Sequence, residues 1–306
     1  MPRIAAIDHA GLAAVELVDH AARLVVVHGV GPRIAWFGAI GGANLLFWDD
    51  HLAHTRGAWR LYGGHRLWVT RPDADESEET YAPDNQACQV REIAGGVEVT
   101  APPDVSRIEK TIAIWAGRSG WAIEHSIRNV GDMLWSGGAW ALTCTLPGEA
   151  TRYCLPLGEP EHPWDTFTMV IPRRWGGGHS SRLADPQFTL GDTELAIAPL
   201  GQEAKRMVFS RRGVLMMTDP IRGELTKHVR ARVGARYPLG TNLAVYLGPE
   251  RFMVELETMS PIVQLAPGES LRHVEHWSFA PPENQEGGPG HAGTPAPRAV
   301  RQGPTQ

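Results

Sequence analysis

The chain has 306 residues, of which 42% are hydrophobic and 21% are charged, proportions that suit a globular protein with a substantial core. The formal net charge of −5 gives no excess of positive charge for binding a polyanion, so nucleic acid is excluded as a partner. No segment approaches the roughly 20 consecutive apolar residues that cross a bilayer as a helix, so no membrane partner is expected.

The cysteines and the N-terminal segment both favour a cytoplasmic location. Cys88, Cys144 and Cys154 are an odd number of cysteines without C-x-x-C spacing, which favours reduced thiols, although one disulfide stays open. Residues 1–17 include acidic side chains where a signal peptide would have a long apolar core. The sequence therefore predicts a protein of the cytoplasm.

Short apolar or alternating runs recur along the chain, separated by Gly, Pro, Asn and Asp. Most are too short for a stable helix, and many are rich in β-branched and aromatic residues, which is typical of strands. No long stripe at helical spacing competes with them. The sequence therefore predicts an all-β fold, a large antiparallel β-sandwich. In chain order the predicted strands are Ala13–Val18, Arg23–His28, Arg33–Phe37, Leu45–Trp48, Gly96–Thr100, Ile108–Trp115, Trp121–Asn129, Ala139–Leu146, Glu194–Ala198, Gly213–Thr218, Asn242–Leu247, Phe252–Met259 and His273–Phe279.

Two stretches interrupt the strand pattern. Pro72–Asn85 is rich in acidic residues and is predicted to be an exposed loop. Pro281–Gln306 is rich in Pro and Gly and has almost nothing to bury, so a disordered tail is predicted there. We expect a single sandwich domain over residues 1–280, followed by a tail over residues 281–306.

The segment Tyr62–Trp68 (YGGHRLW) is the most unusual stretch of the sequence. Its paired glycines permit a sharp turn or a close backbone approach, and the residues after them supply an imidazole, a guanidinium and an indole. A sugar site needs this mixture, because planar polar groups bind hydroxyls and an aromatic ring covers the apolar face of the sugar. The alternative interpretation is a tight hairpin turn with an aromatic side chain packed beneath it.

The predicted strand Phe252–Met259 is a second candidate, because alternation places Glu255 and Glu257 on one face. Two carboxylates beside methionine side chains are poor core material. In a cleft, one of them would have a raised pKa and act as a general base. The alternative interpretation is a solvated outer face.

The histidines do not have the spacing of a metal site. His125 shares a strand face with Trp121 and Ile123, so a hydrogen-bonded core histidine and a catalytic one are both open. No H-E-x-x-H spacing is present, and we expect neither a metal nor a cofactor. The sequence also lacks G-x-S-x-G, Walker and dinucleotide-binding motifs, which argues against a serine hydrolase, an NTPase and a nicotinamide enzyme.

Taken in order, several segments resemble the galactose mutarotase-like (aldose 1-epimerase-like) superfamily, in particular a bacterial branch of it. Gly31–Phe37 with Gly42–Leu46 resembles its first hairpin, and Tyr62–Trp68 its Gly-Gly segment. Ile123–Gly131 resembles its central strand, and Thr241–Trp277 its glutamate-bearing strand with the closing strand. The resemblance spans about residues 13–279 and implies the supersandwich fold of that superfamily.

The resemblance also implies a mechanism, in which a glutamate takes the proton of the anomeric hydroxyl while a histidine protonates the ring oxygen and the ring opens. Glu257 occupies the place of that glutamate. The strand with the family's histidine reads Gly138–Thr143 here and has none, and Tyr62 stands at the place of an earlier family histidine. The expected acid is therefore His65, or else His125.

These observations predict an isomerase, an aldose 1-epimerase-like enzyme that acts on a sugar or sugar derivative as a monomer or homodimer. Two alternatives stay open: a non-catalytic carbohydrate-binding protein, and a lyase or isomerase of a biosynthetic pathway. The expected substrate-binding residues are Arg33, Asn44, Tyr62, Arg66, Trp68, Trp140 and Glu255.

Overall fold

The computed structural model describes residues 2–19, 22–71, 84–160, 164, 166–175 and 179–282. The helical segments of these described residues are two short 3-10 turns, Pro238–Gly240 and Pro249–Arg251. No helix among them is long and apolar enough to cross a membrane. The strands are β1 Arg3–His9, β2 Leu12–Asp19, β3 Ala22–Val27, β4 Arg33–Ala39, β5 Thr55–Arg56, β6 Trp59–Arg60, β7 His65–Thr70, β8 Gln89–Ile93, β9 Gly96–Thr100, β10 Ile108–Gly117, β11 Gly120–Asn129, β12 Trp135–Thr145, β13 Arg152–Pro156, β14 Thr168–Val170, β15 Phe188–Leu190, β16 Glu194–Ile197, β17 Ala204–Phe209, β18 Val214–Asp219, β19 Gly223–Val229, β20 Leu243–Leu247, β21 Val254–Met259, β22 Val263–Leu265 and β23 Ser270–Ala280.

The strands form two large antiparallel sheets. Sheet A has 11 strands in the order β1-β2-β3-β4-β7-β12-β21-β20-β17-β14, with β22 paired to β12 beside this path. Sheet B has 10 strands in the order β15-β16-β13-β18-β19-β23-β11-β10-β9-β8, and β5 and β6 form a separate small hairpin. This architecture confirms the all-β, antiparallel sandwich expected from the sequence.

A continuous apolar core lies between the two sheets. It joins side chains of sheet A, such as Leu17 and Phe37, to side chains of sheet B, such as Ile112, Ile123 and Trp277. Removing each large apolar side chain from water contributes about 1.5–3 kcal/mol, so this layer is the main source of stability. The core explains why one face of each central strand is apolar.

The central strands of sheet A direct their other side chains away from this core. In β21, Val254 and Leu256 join the core, whereas Glu255 and Glu257 belong to the opposite face. A second apolar cluster, which includes Trp68 and Trp140, lies on that outer face. The outer face of sheet A is thus both aromatic and charged.

One predicted strand is wrong. Leu45–Trp48 forms only the isolated bridges Leu46–Thr145 and Trp48–Gly63. The cause is the preceding residue, since Asn44 Oδ1 accepts hydrogen bonds from the backbone N–H groups of Phe37 and Leu46 and so fixes a bend. Most of the predicted acidic loop (residues 72–83) and of the predicted tail (residues 283–306) lies outside the described residues.

Candidate functional site

A cleft of about 320 Å³ opens on the outer face of sheet A. Its volume lies within the range of small-ligand sites, which begins at about 300 Å³. Aromatic rings give it flat apolar surfaces with polar edges, which suit the two faces of a sugar ring. The aromatic residues that line the cleft are Trp59, Trp68, Trp140, Trp175, Tyr246 and Phe252.

Paired glycines before β7 bring that strand close to its neighbours. Gly63 and Gly64 have φ values of +80° and +68°. A Cβ on either residue would lie 2.3 Å from a backbone oxygen, that of Phe47 or of Ile34. Only glycine tolerates this approach, so the pair serves a tight turn that sets the start of β7.

Glu257 lies in β21 with one carboxylate oxygen firmly held. Its Oε2 accepts a hydrogen bond of 2.8 Å from Trp140 Nε1 and lies 3.1 Å from Lys205 Nζ. Its Oε1 is buried and has no hydrogen-bond partner among the residues that the structure describes. The ammonium and the indole N–H thus both bond to one carboxylate oxygen, and the other oxygen keeps its capacity to accept a hydrogen bond.

Glu255 lines the cleft two residues earlier in the same strand. Burial, and after it the Glu257 carboxylate, raise the pKa of Glu255 to about 7, while Arg66 and Lys205 oppose the increase. The strand therefore presents a carboxyl that is partly protonated near neutral pH beside one that is paired with Lys205. Two carboxyls whose environments separate their protonation states are the arrangement that general acid–base catalysis uses.

Cationic side chains lie flat against two of the indoles. The Arg66 guanidinium carbon is 3.8 Å from the centroid of the Trp68 ring, and Lys205 Nζ is 4.8 Å from that of Trp140. Such contacts stabilise a cation by about 0.5–2 kcal/mol and fix both partners. They hold the charged and aromatic parts of the cleft in one arrangement.

At the edge of the cleft, His179 Nδ1 lies 2.5 Å from Glu203 Oε1, and the Tyr246 hydroxyl donates to the same oxygen at 2.7 Å.

A buried polar cluster lies on the core side of the same strands, made of His65, Thr143, Thr258, His125, Lys227, His273 and Glu275. Its hydrogen bonds have one consistent direction. His125 Nδ1 donates to a carbonyl oxygen (that of His273, 3.0 Å), so His125 Nε2 must accept from His65 Nε2 at 2.7 Å. His65 Nδ1 then accepts from the Thr143 hydroxyl at 2.8 Å, and that hydroxyl accepts from Lys227 Nζ at 2.6 Å. Both imidazoles are thereby satisfied as neutral rings.

The acid–base properties of this core polar cluster agree with neutral histidines. Burial lowers the pKa of His65 well below its ordinary value and lowers that of His273 to about 3. Burial alone would raise the pKa of Glu275, but the Lys227 ammonium lowers it well below its ordinary value. The cluster therefore holds one ion pair, Lys227 with Glu275 at 3.2 Å, among uncharged partners.

Solved structures with a similar architecture include galactose mutarotase-like proteins. A galactose mutarotase-like protein from Clostridium acetobutylicum matches with a TM-score of 0.59 at 9% identity, covering 92% of this chain and 99% of its own. One from Lactobacillus casei matches with a TM-score of 0.58 at 9% identity, covering 87% of this chain and 100% of its own. A galactose mutarotase related enzyme from Lactobacillus acidophilus matches with a TM-score of 0.58 at 11% identity, covering 89% and 98%.

The chain has the galactose mutarotase-like fold. No protein-family model matches the sequence, and no curated protein matches it either. The fold resemblance expected from the sequence is thus confirmed, whereas activity and substrate need an argument from the site itself.

Within this galactose mutarotase-like fold, the expected catalytic residues fall on two sides of sheet A. Glu257 lies on the cleft side, and His65 lies on the core side with 0% of its surface exposed. His65 and Arg66 are consecutive in β7, so alternation directs them to opposite faces. His125 comes from sheet B and meets His65 in the core polar cluster. The structure therefore does not bring either imidazole to the Glu257 carboxylate.

The expected substrate-binding residues also divide into two groups. Arg66, Trp68, Trp140 and Glu255 line the cleft. Arg33 is inaccessible and donates to Asp84 Oδ1 at 2.6 Å, with its guanidinium carbon 5.2 Å from the Tyr62 ring centroid. Asn44 instead fixes the bend before Leu45. Arg33, Tyr62 and Asn44 therefore lie outside the cleft lining.

Several cleft residues were not among those expected from the sequence. Lys205 is the most important, since it pairs with Glu257, and Trp59, Trp175 and His179 also line the cleft. Lys205 is one of only three lysines in the chain. That rarity was the one signal in the sequence that pointed to it.

The core polar cluster contains residue types that bind metals. Ligand atoms of His65, His125 and Glu275 lie within 4.8 Å of one another. Each of these side chains already has hydrogen-bond partners, and the Lys227 ammonium lies 3.2 Å from Glu275, where it would repel a cation. A hydrogen-bonded network accounts for this arrangement better than a metal site does.

Proposed function

We propose that the protein is an aldose 1-epimerase-like isomerase that interconverts the anomers of a sugar or sugar derivative in the cleft of sheet A. The observation that supports this is the carboxyl pair Glu255 and Glu257 on the outer face of sheet A: Glu255 is partly protonated near neutral pH and lines an indole-lined cleft, and Glu257 is buried beside it in an ion pair with Lys205. Anomer exchange needs one group to accept a proton and another to donate one at the same ring.

In this proposal Glu257 is the base and Glu255 is the acid. Oε1 of Glu257 takes the proton of the anomeric hydroxyl, and the Glu255 carboxyl gives its proton to the ring oxygen. The bond between the anomeric carbon and the ring oxygen breaks, giving an open-chain aldehyde. Rotation of the aldehyde and the reverse proton transfers close the ring as the other anomer, and both carboxyls return to their starting states.

Glu255 replaces the histidine that the resemblance led us to expect as the acid. The reason is position, because His65 and His125 lie on the core side and their protons are engaged in the network there. Glu255 lines the cleft, and burial together with Glu257 keeps a proton on it near neutral pH.

Polarimetry of freshly dissolved α-anomers, over a panel of neutral and acidic aldoses, tests the proposal. We expect the protein to accelerate mutarotation of at least one sugar, and Glu257→Gln and Glu255→Gln each to reduce that acceleration by ~10²-fold or more. Glu109→Gln is the matched control, since Glu109 lies on β10 of sheet B, away from the cleft. No acceleration with any sugar, or full activity in Glu257→Gln, would end this proposal.

A second candidate, a non-catalytic carbohydrate-binding protein, is favoured by the enclosure of Glu257, whose side chain is 0% exposed. Titration calorimetry separates the two candidates. Sugar affinity that survives both Glu→Gln changes, in a protein without turnover, would support the binding protein. The cytoplasmic location, the monomeric or homodimeric state and the single domain over residues 1–280 stay predictions.

A further inference from the structure

Among the described residues, the basic side chains in and around the cleft are paired with carboxylates, with one exception. Lys205 pairs with Glu257 at 3.1 Å, Arg33 pairs with Asp84 at 2.6 Å, and His179 lies 2.5 Å from Glu203. Among the residues that the structure describes, no carboxylate oxygen lies within salt-bridge distance of Arg66. Arg66 is thus the exception.

Arg66 is also poorly hydrogen-bonded for a buried cation. Arg66 is 1% exposed, its Nη1 donates to Leu61 O at 3.3 Å, and its Nε is buried without a hydrogen-bond partner in the described part of the chain. A buried charge without a partner costs several kcal/mol, so a counter-ion is expected wherever one can reach it. Because Arg66 lines the cleft, a ligand in the cleft can supply that counter-ion.

Two acidic groups of the protein, Glu255 and Asp84, interact electrostatically with Arg66. Asp84 is already paired with Arg33, and Glu255 forms no salt bridge with Arg66 among the described residues. The Glu255 carboxyl is only partly ionised near neutral pH, so it offers less than a full negative charge. The Arg66 guanidinium carbon lies 3.8 Å from the centroid of the Trp68 ring, a contact that does not use its N–H donors. A guanidinium edge matches a carboxylate or phosphate with two parallel hydrogen bonds.

We infer that the cleft takes an anionic sugar, and that Arg66 binds its carboxylate or phosphate while the indoles cover the ring. The inference rests on the proposed sugar site, but it concerns recognition and does not require turnover. It makes Arg66 a specificity-determining residue that distinguishes an acidic sugar from its neutral counterpart.

Titration calorimetry of the full chain at pH 6 tests the inference with glucuronate, glucose 6-phosphate, glucose and the methyl ester of glucuronate. We expect the two acidic sugars to bind at least ~10-fold more tightly than glucose, as a charge-assisted hydrogen bond implies. The stronger of the two identifies the anionic group as carboxylate or phosphate. The ester retains the shape of glucuronate without its charge and should bind like glucose.

Two variants test whether Arg66 is the residue that causes the preference for acidic sugars. Arg66→Gln should remove the preference for acidic sugars over glucose, whereas Arg91→Gln, at an exposed arginine on β8, is the matched control and should keep it. If Arg66→Gln does not fold, the comparison of glucuronate with its ester in the unaltered protein still tests whether the cleft prefers an anionic sugar. Equal affinity for acid and ester, or binding of none of the four sugars, would overturn the inference. Binding of the acidic sugars without mutarotation would leave it standing and remove only the proposed isomerase.

Discussion

Two trios of the same residue types lie on the two sides of sheet A. On the cleft side, Glu257 accepts from Trp140 Nε1 at 2.8 Å and lies 3.1 Å from Lys205 Nζ. On the core side, Glu275 accepts from Trp277 Nε1 at 2.6 Å and lies 3.2 Å from Lys227 Nζ. Both glutamates are inaccessible. We call these the cleft trio and the core trio.

The trios differ in what completes them. In the core trio, the Thr258 hydroxyl donates to Glu275 Oε1 at 2.5 Å, so both carboxylate oxygens have partners. In the cleft trio, Glu257 Oε1 has none, and a second carboxyl, Glu255, lies two residues away. A carboxylate whose two oxygens both have partners has no strong acceptor left for a ligand. A carboxylate beside a cleft with one unpartnered oxygen still has one.

The core trio also positions the cleft trio. Lys227 Nζ donates to the backbone oxygen of Leu256 at 2.9 Å, and Thr258 bonds with Glu275. Leu256 and Thr258 are the neighbours of Glu257 in β21, so the strand is fixed from the core side on both flanks of the proposed base. The glutamates of the two trios are equally buried, so burial alone does not distinguish the trios. Their hydrogen bonds do.

The largest effect that would test this comparison is on stability. Lys227→Met leaves Glu275 charged and unpaired in the core, and we expect it to lower the free energy of unfolding by about 3–5 kcal/mol. Lys205→Met should cost clearly less, because Lys205 lines the cleft and its side chain is 7% exposed, so water from the cleft can reach Glu257 once the ammonium is removed. Urea denaturation with unchanged m values measures both. Equal losses in the two variants would show that the trios do not differ in this way.

A smaller effect is expected from His65→Gln, which alters the core polar cluster without removing an ion. Glutamine retains only part of the hydrogen bonding to Thr143 and His125, so stability should fall by about 1–3 kcal/mol. Because His65 lies on the core side, mutarotation at a temperature where the variant is folded should stay within about threefold of the unaltered protein, well short of the 10²-fold that loss of an acid causes. A loss near 10²-fold would instead support His65 as the acid.

Strand alternation made much of the site predictable. It correctly grouped Glu255 with Glu257 in β21, and the same rule applied to Tyr62–Trp68 separates His65 from Arg66 and Trp68. The chemistry of His65, Arg66 and Trp68 suggests one shared pocket. His65 is at an odd position of β7 and the other two are at even positions, so they lie on opposite faces of the strand. Alternation alone places His65 on the face of Leu67, which belongs to the core.

Other features depend on pairings distant in the chain. Lys205 meets Glu257 only because β17 and β21 both pair with β20, and no local pattern specifies that neighbourhood. Asn44 has the composition of a sugar ligand, yet its amide fixes the bend before Leu45. The packing of the second sheet decides which face of a strand lines a cleft. The residue pattern of one strand does not carry that information.

An effect similar in size to that of His65→Gln, and the one that most directly separates the two glutamate environments, is expected on the pH dependence of stability. The pKa of Glu255 is about 7 in the folded protein, above its ordinary value of 4.5. The folded state therefore holds this proton more tightly than the unfolded state, so the stability it gives is complete below the ordinary pKa and is lost as pH rises through about 7. The pKa of Glu275 is lowered, so its contribution has the opposite sign and is lost as pH falls.

Glu255→Gln removes the first of these contributions. Relative to the unaltered protein, the variant should gain on the order of 1–3 kcal/mol between pH 5 and pH 8, since one pKa unit corresponds to about 1.4 kcal/mol. Urea denaturation of both proteins at the two pH values measures this gain, and Glu109→Gln on sheet B should show no such change. A difference that is flat across this range would mean that Glu255 is ionised throughout, and the acid of the proposed mechanism would have to be sought among the other cleft residues.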